Sequence, residues 1–123
     1  MPVKPLNASA LKNLLERIDY AREGEIRSVT PYSPTSISIQ FSVQDKARGY
    51  DWIDVAFRLD GVSDAKLVSD NVLRSLDMGE GITVEITPDG AALALGEYAG
   101  RPHDAPFYII GSSIGYDELP FSG

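Results

Sequence analysis

Cysteine is absent from the chain, which excludes disulfides, thiolate metal sites and thiol nucleophiles and is compatible with a reducing compartment. Histidine occurs once, at His103, so no second imidazole exists to complete a histidine metal site. No apolar run approaches the roughly 20 residues needed to cross a bilayer. Met1-Pro2-Val3-Lys4-Pro5 carries one base with no apolar stretch behind it, so no secretory signal is read. The expectation is a cytoplasmic protein that does not insert into a membrane. The phosphate-binding G-x-x-x-x-G-K-[ST], the dinucleotide G-x-G-x-x-G, the esterase G-x-S-x-G and the metalloprotease H-E-x-x-H are all missing. Basic residues are scarce as well: 11 Lys and Arg face 18 Asp and Glu, for a net charge of -7. A surface of that sign repels phosphate backbones, so nucleic acid is not an expected ligand. A basic protein partner would be attracted.

What is present reads as an ordinary globular composition, 43% hydrophobic and 24% charged, and a chain of this length buries about two-thirds of its unfolded surface. One domain over residues 1–123 is expected. The clearest stretch runs from Tyr50 to Val68. Ile53, Val55, Phe57 and Leu59 recur at every second position with Asp54, Ala56 and Arg58 between them, the pattern of a strand with one buried face. Asp60-Gly61 follows and predicts a tight hairpin turn, since Gly tolerates positive φ. Its second arm is read over 62–68.

A helix is predicted over 7–23. Leu11, Leu14, Leu15 and Ile18 form its apolar stripe, Asn7 caps its start, and Gly24 supplies its stop. Further strands are predicted over 25–30, 36–44, 51–59, 82–87, 91–97 and 107–114. In the second of these Ile37, Ile39, Phe41 and Val43 alternate with Ser36, Ser38, Gln40 and Ser42. A turn or two of helix is expected within Ser69 to Met78, and a three-residue hairpin loop at Thr87-Pro88-Asp89-Gly90. Ala91 to Glu97, apolar on both faces, reads as an interior strand, and Gly111 as a bulge or a close backbone approach. All eight prolines are read outside strands, and Asp117, Glu118 and Pro120 as a short tail. The fold class is α+β: one N-terminal helix packed on a curved, mostly antiparallel sheet of about six or seven strands, half-barrel or sandwich-like.

Candidate chemistry is sparse. His103 stands beside Asp104 in a Pro-flanked loop, where a carboxylate-oriented base is one reading and a surface residue the plainer one. Asp60, Asp64 and Asp70, or Asp77 and Glu80, offer oxygen ligands or a carboxylate pair, but their spacing does not match a calcium loop, and turn chemistry explains them more simply. No cofactor or metal is expected. Tyr32, Tyr50, Trp52, Tyr98, Tyr108 and Tyr116 fall at strand ends and loops, which suits either a protein-binding patch or the rim of a small sheet domain.

The runs DVAFRLDGVSDAKLV, GITVEI with PDGAALALG, and FYIIGSSIGYDE resemble small acidic bacterial proteins of unknown function, including immunity proteins of toxin-immunity systems. In those an F-x-x-x-GV strand-turn precedes hairpins and a late strand ending in acids. The resemblance implies a compact sheet with a helix that binds another protein and catalyses nothing, and it carries over no site residues. The resulting expectation is a non-enzymatic acidic protein-binding domain, of the kind of an immunity-like inhibitor of a basic partner, with Asp51, Trp52, Asp54 and Asp60 as contacts. The alternative is a small-ligand-binding barrel or hydrolase with a pocket between helix and sheet. A homodimer through an unpaired edge strand is a third option.

Overall fold

Asn7 starts the helix: its Oδ1 accepts from the amide of Ala10 at 2.7 Å, and α1 (Ala8–Arg17) follows. Leu11, Leu14, Leu15 and Ile18 are all buried, which is the stripe their spacing predicts. The structure, a computed structural model, describes residues 4–73 and 75–121. The helix does not reach Glu23. It ends at Arg17 with Ile18 as its C-cap, and the chain then turns left-handed, with Asp19, Tyr20, Ala21 and Glu23 at φ of 52°, 56°, 58° and 60°. Each such non-glycine residue costs on the order of 1 kcal/mol, offset here by amide bonds from Ala21 to Ile18 O, Arg22 to Asp19 O and Glu23 to Met78 O.

The strands are β1 (Lys4–Pro5), β2 (Glu25–Ser33), β3 (Ser36–Asp45), β4 (Asp51–Asp60), β5 (Asp64–Lys66), β6 (Ile82–Thr87), β7 (Gly90–Leu95), β8 (Tyr108–Gly111) and β9 (Ser113–Pro120), with a one-turn α2 (Asp70–Leu73) between β5 and β6. Every pairing is antiparallel. The α+β class holds, but the strands do not form a single sheet. They divide into a five-stranded sheet in the order β1-β9-β4-β3-β2 and a four-stranded sheet in the order β5-β8-β7-β6, and among the described residues neither closes into a barrel.

The division follows from what happens at Asp60-Gly61. Rather than closing a hairpin, these residues carry the chain from one sheet to the other, so that β5 pairs with β8 and not with β4. The same corner holds the β8 to β9 crossing: the Ser112 amide donates to Asp60 O at 2.9 Å, and a Cβ on Gly111 would stand 2.6 Å from that same oxygen. Gly111 is thus the close approach its position in the sequence suggests. Two strands that switch sheets together make a corner.

β9 is the principal strand the sequence reading lacks: that reading ends its last strand at 114 and takes Asp117, Glu118 and Pro120 as a tail, whereas the chain breaks after Gly111 and continues as β9 from Ser113. It pairs with β4 from Ile53↔Pro120 to Asp60↔Ser113. Prolines 5, 31 and 120 accordingly lie within strands. Pro5 and Pro31 sit on β1 and β2, the outermost strands of their sheet, where a missing N–H costs no ladder bond. The β6–β7 turn is tighter than expected, since Thr87 pairs directly with Gly90.

One hydrophobic cluster joins α1 to both sheets. Val55, Phe57, Leu59, Ile39 and Phe41 are 0% exposed, and the rings of Phe41 and Phe57 meet edge-on at 6.1 Å, worth about 1 kcal/mol beyond their area. Arg17, at the end of α1, ties the helix to the sheet. It bonds Glu118 of β9, and its Nε lies 3.0 Å from Oδ1 of Asp45 of β3. Burial works to lower the Arg17 pKa, but the bond to Glu118 and the charges of Glu118 and Asp45 carry it above its ordinary value.

Candidate functional site

Because β4 buries its odd-numbered side chains, Trp52, Asp54, Ala56, Arg58 and Asp60 fall on the opposite face of the five-stranded sheet. Register extends that face across the neighbours. Ser42 stands opposite Asp54 and Gln40 opposite Ala56 on β3, while Asp117 stands opposite Ala56 and Leu119 opposite Asp54 on β9.

Asp54 lies at the centre of the face and is 0% exposed. Its Oδ1 accepts from the Ser42 hydroxyl at 2.5 Å and its Oδ2 from the Gln40 amide at 2.9 Å, the compensation that a buried carboxylate requires. Larger side chains surround this polar centre. The ring of Trp52 lies 5.8 Å from that of Phe121, the Arg27 guanidinium 5.6 Å over Phe121, and the Arg58 guanidinium 5.2 Å over Tyr32. Tyr32, Trp52 and Phe121 are 62%, 40% and 45% exposed, well above the usual burial of such side chains. Both arginines are neutralised locally, Arg27 by Glu25 at 3.3 Å and Arg58 by Asp60 at 3.1 Å. A bond from the Ser36 hydroxyl at 2.7 Å, and then Arg58, hold the Asp60 carboxyl below its usual range.

Of the contacts expected from the sequence, Trp52, Asp54 and Asp60 therefore share one face, and Asp51 is exposed at the start of the same strand. Their roles differ. Trp52 is open to solvent, whereas Asp54 is sealed and Asp60 is engaged by Ser36 and Arg58. The sequence reading missed Phe121, Arg27 and Asp117 on this face. The alternation Ser36, Ser38, Gln40, Ser42 marks its polarity, but nothing local marks Phe121, which follows Pro120 beyond the last strand.

His103 faces Asp64 and not its neighbour Asp104. Its Nε2 is 3.1 Å from Asp64 Oδ2, and that oxygen also accepts from the Tyr108 hydroxyl at 3.1 Å. Reduced hydration and the bond to Asp64 raise the Tyr108 pKa. Of these three, His103 borders an open groove of about 490 Å³ that is also lined by Ser63, Glu85 and Thr87. His103 and Asp64 are 62% and 47% exposed, so water screens their interaction. No hydroxyl among the described residues is hydrogen-bonded to His103 to serve as its nucleophile. Asp77 accepts from the Gly79 amide at 2.8 Å, which is turn chemistry, and the Asp70 side chain lies outside the described residues. No three His, Asp or Glu side chains among the described residues are grouped to hold a metal ion. Among the described residues no helix is long and apolar enough to cross a membrane. Compared with protein-family models, with curated proteins and with solved structures, the chain finds no match in any of the three.

Proposed function

We propose that the chain is a non-enzymatic, cytoplasmic protein-binding domain that docks a basic partner on the outer face of its five-stranded sheet, in the manner of an immunity-like inhibitor. The observation that carries this reading is the exposed group of Tyr32, Trp52 and Phe121 set around a buried polar centre. Exposed aromatic anchors with arginines beside them are what protein interfaces use as hot spots. Arg27 and Arg58 are already paired, and the chain as a whole carries -7, so its long-range field favours a cationic partner.

The test compares the wild type with Trp52→Ala/Phe121→Ala as bait in an extract of the source cells, followed by binary binding of any captured protein after purification. A basic protein that binds wild type, binds the double variant at least about tenfold more weakly, and weakens further between about 50 and 300 mM salt supports the reading. Equal binding by both baits overturns it.

A ligand groove is the second reading, favoured by His103, which borders the 490 Å³ groove and is held by Asp64. It requires His103→Ala to abolish a turnover or small-molecule binding that Trp52→Ala leaves intact.

A further inference from the structure

Among the described residues β6 is the last strand of its sheet and pairs with β7 alone. Leu95 donates its amide to Phe107 O at 3.1 Å, away from β6, so Leu95 and its opposite number Ile82 form a non-hydrogen-bonded pair. The alternation of an antiparallel ladder then places Val84 and Ile86 in the same class. The N–H and C=O groups of Ile82, Val84 and Ile86 consequently point off the free side of β6.

This free side is not guarded in the way that β2 is. β2 carries Pro31 and breaks register between Ile26 and Ser28 and between Pro31 and Ser33, devices that discourage strand addition. β6 keeps unbroken register from Ile82↔Leu95 to Thr87↔Gly90 and contains no proline. A groove of about 460 Å³ lies against it, lined by consecutive residues Ile82, Thr83 and Val84 together with Leu15, Tyr20 and Arg22. Successive residues of a strand point to opposite faces, so a groove touching all three opens on the backbone. Its other wall is the left-handed turn at 19–21. That turn is pressed against Gly81, where a Cβ would stand 2.1 Å from Tyr20 O. Backbone strain concentrated beside an open groove is a mark of binding sites.

The rim sets the charge of the occupant. Arg22 is paired with Asp19 at 2.8 Å and Arg101 with Asp104 at 3.7 Å, whereas Glu80 and Glu97, which also border the groove, have no basic partner among the described residues. We infer that the β6 groove binds an extended basic-apolar peptide segment by strand addition, its backbone pairing with Val84 and Ile86, its apolar side chains facing Leu15 and Val84, and its basic side chains meeting Glu80 and Glu97. The site is separate from the aromatic face.

The test titrates ¹⁵N-labelled full-length protein with a blocked octapeptide of alternating Lys and Val, beside the same peptide N-methylated on the groups that would pair. Expected are shifts confined to Tyr20, Arg22 and the β6 amides, with slowed exchange of the Val84 and Ile86 amides, by the unmethylated peptide only. Val84→Pro removes one outward donor and no ladder bond, and is expected to weaken binding about tenfold while Trp52→Ala has no effect. The inference is overturned by no shifts at about 1 mM peptide, by equal shifts from the N-methylated peptide, or by protection of Val84 and Ile86 in the free protein through dimerisation, which would make a second copy the occupant.

Discussion

Asp54→Ala removes the carboxylate at the centre of the sheet face. The Ser42 hydroxyl, itself 0% exposed, then has no acceptor at Asp54, and Gln40 loses its bond as well. A hydrogen bond to a charged group contributes roughly 1.5–3 kcal/mol, and an orphaned buried donor costs about 1–3 kcal/mol. Allowing for overlap between these terms, the variant should lose about 3–5 kcal/mol. That is a large share of the 5–15 kcal/mol typical of a whole domain, and at about 4 °C per kcal/mol it lowers Tm by about 15 °C. Urea unfolding followed by Trp52 fluorescence measures the loss. Asp54→Asn keeps one acceptor and should lose only about 1–2 kcal/mol. Ser42→Ala/Asp54→Ala should be less destabilised than the two single losses added together, because no buried hydroxyl is then left unpaired. A loss below about 1 kcal/mol for Asp54→Ala would refute the view that this bonded carboxylate organises the face.

Arg17→Met leaves the buried Asp45 and the partly exposed Glu118 without their link to α1; a loss of about 2 kcal/mol is expected by chemical denaturation, below the roughly 3–5 kcal/mol of a fully buried pair because Arg17 is partly exposed and Arg48 stays near Asp45. Gly81→Ala combines a φ of +71° with a Cβ 2.1 Å from Tyr20 O, so it should cost about 2 kcal/mol or more and displace the 19–21 turn, read as amide shifts at Tyr20 and Arg22. For Asp60 the folded pKa lies below its ordinary value of 3.8, so its contribution to stability is full above about pH 4 and is lost as pH falls through the lowered value. Ser36→Ala should move the Asp60 titration back up toward 3.8, as carboxyl NMR would show.

Alternation carried most of the fold. Ile37 to Val43, Ile53 to Leu59 and Ile82 to Ile86 each declare a buried face, and Asn7 with Leu11, Leu14 and Leu15 declares the helix. Its end was illegible because Asp19, Tyr20 and Ala21 adopt a conformation that their side chains disfavour, in a turn packed against Gly81, which is distant in sequence. β9 was hidden for a related reason. Its inward face reads Ile114, Tyr116, Glu118 and Pro120, and a strand that turns a glutamate inward makes sense only once Arg17 is known to meet it. Asp60-Gly61 does turn, but local chemistry cannot say whether a turn returns to its own sheet or passes to another. The candidate face was half visible: Trp52, Asp54 and Asp60 share a strand, whereas Phe121 and Arg27 reach them only through long-range pairing.

The most direct measurement places a photo-reactive phenylalanine analogue at position 52 and, in a second protein, at exposed position 72, and irradiates both in extract of the source cells. The account predicts one basic protein cross-linked from position 52, absent from position 72, and lost as salt rises to about 300 mM. The same products from both positions, or a product at 52 indifferent to salt, would contradict it.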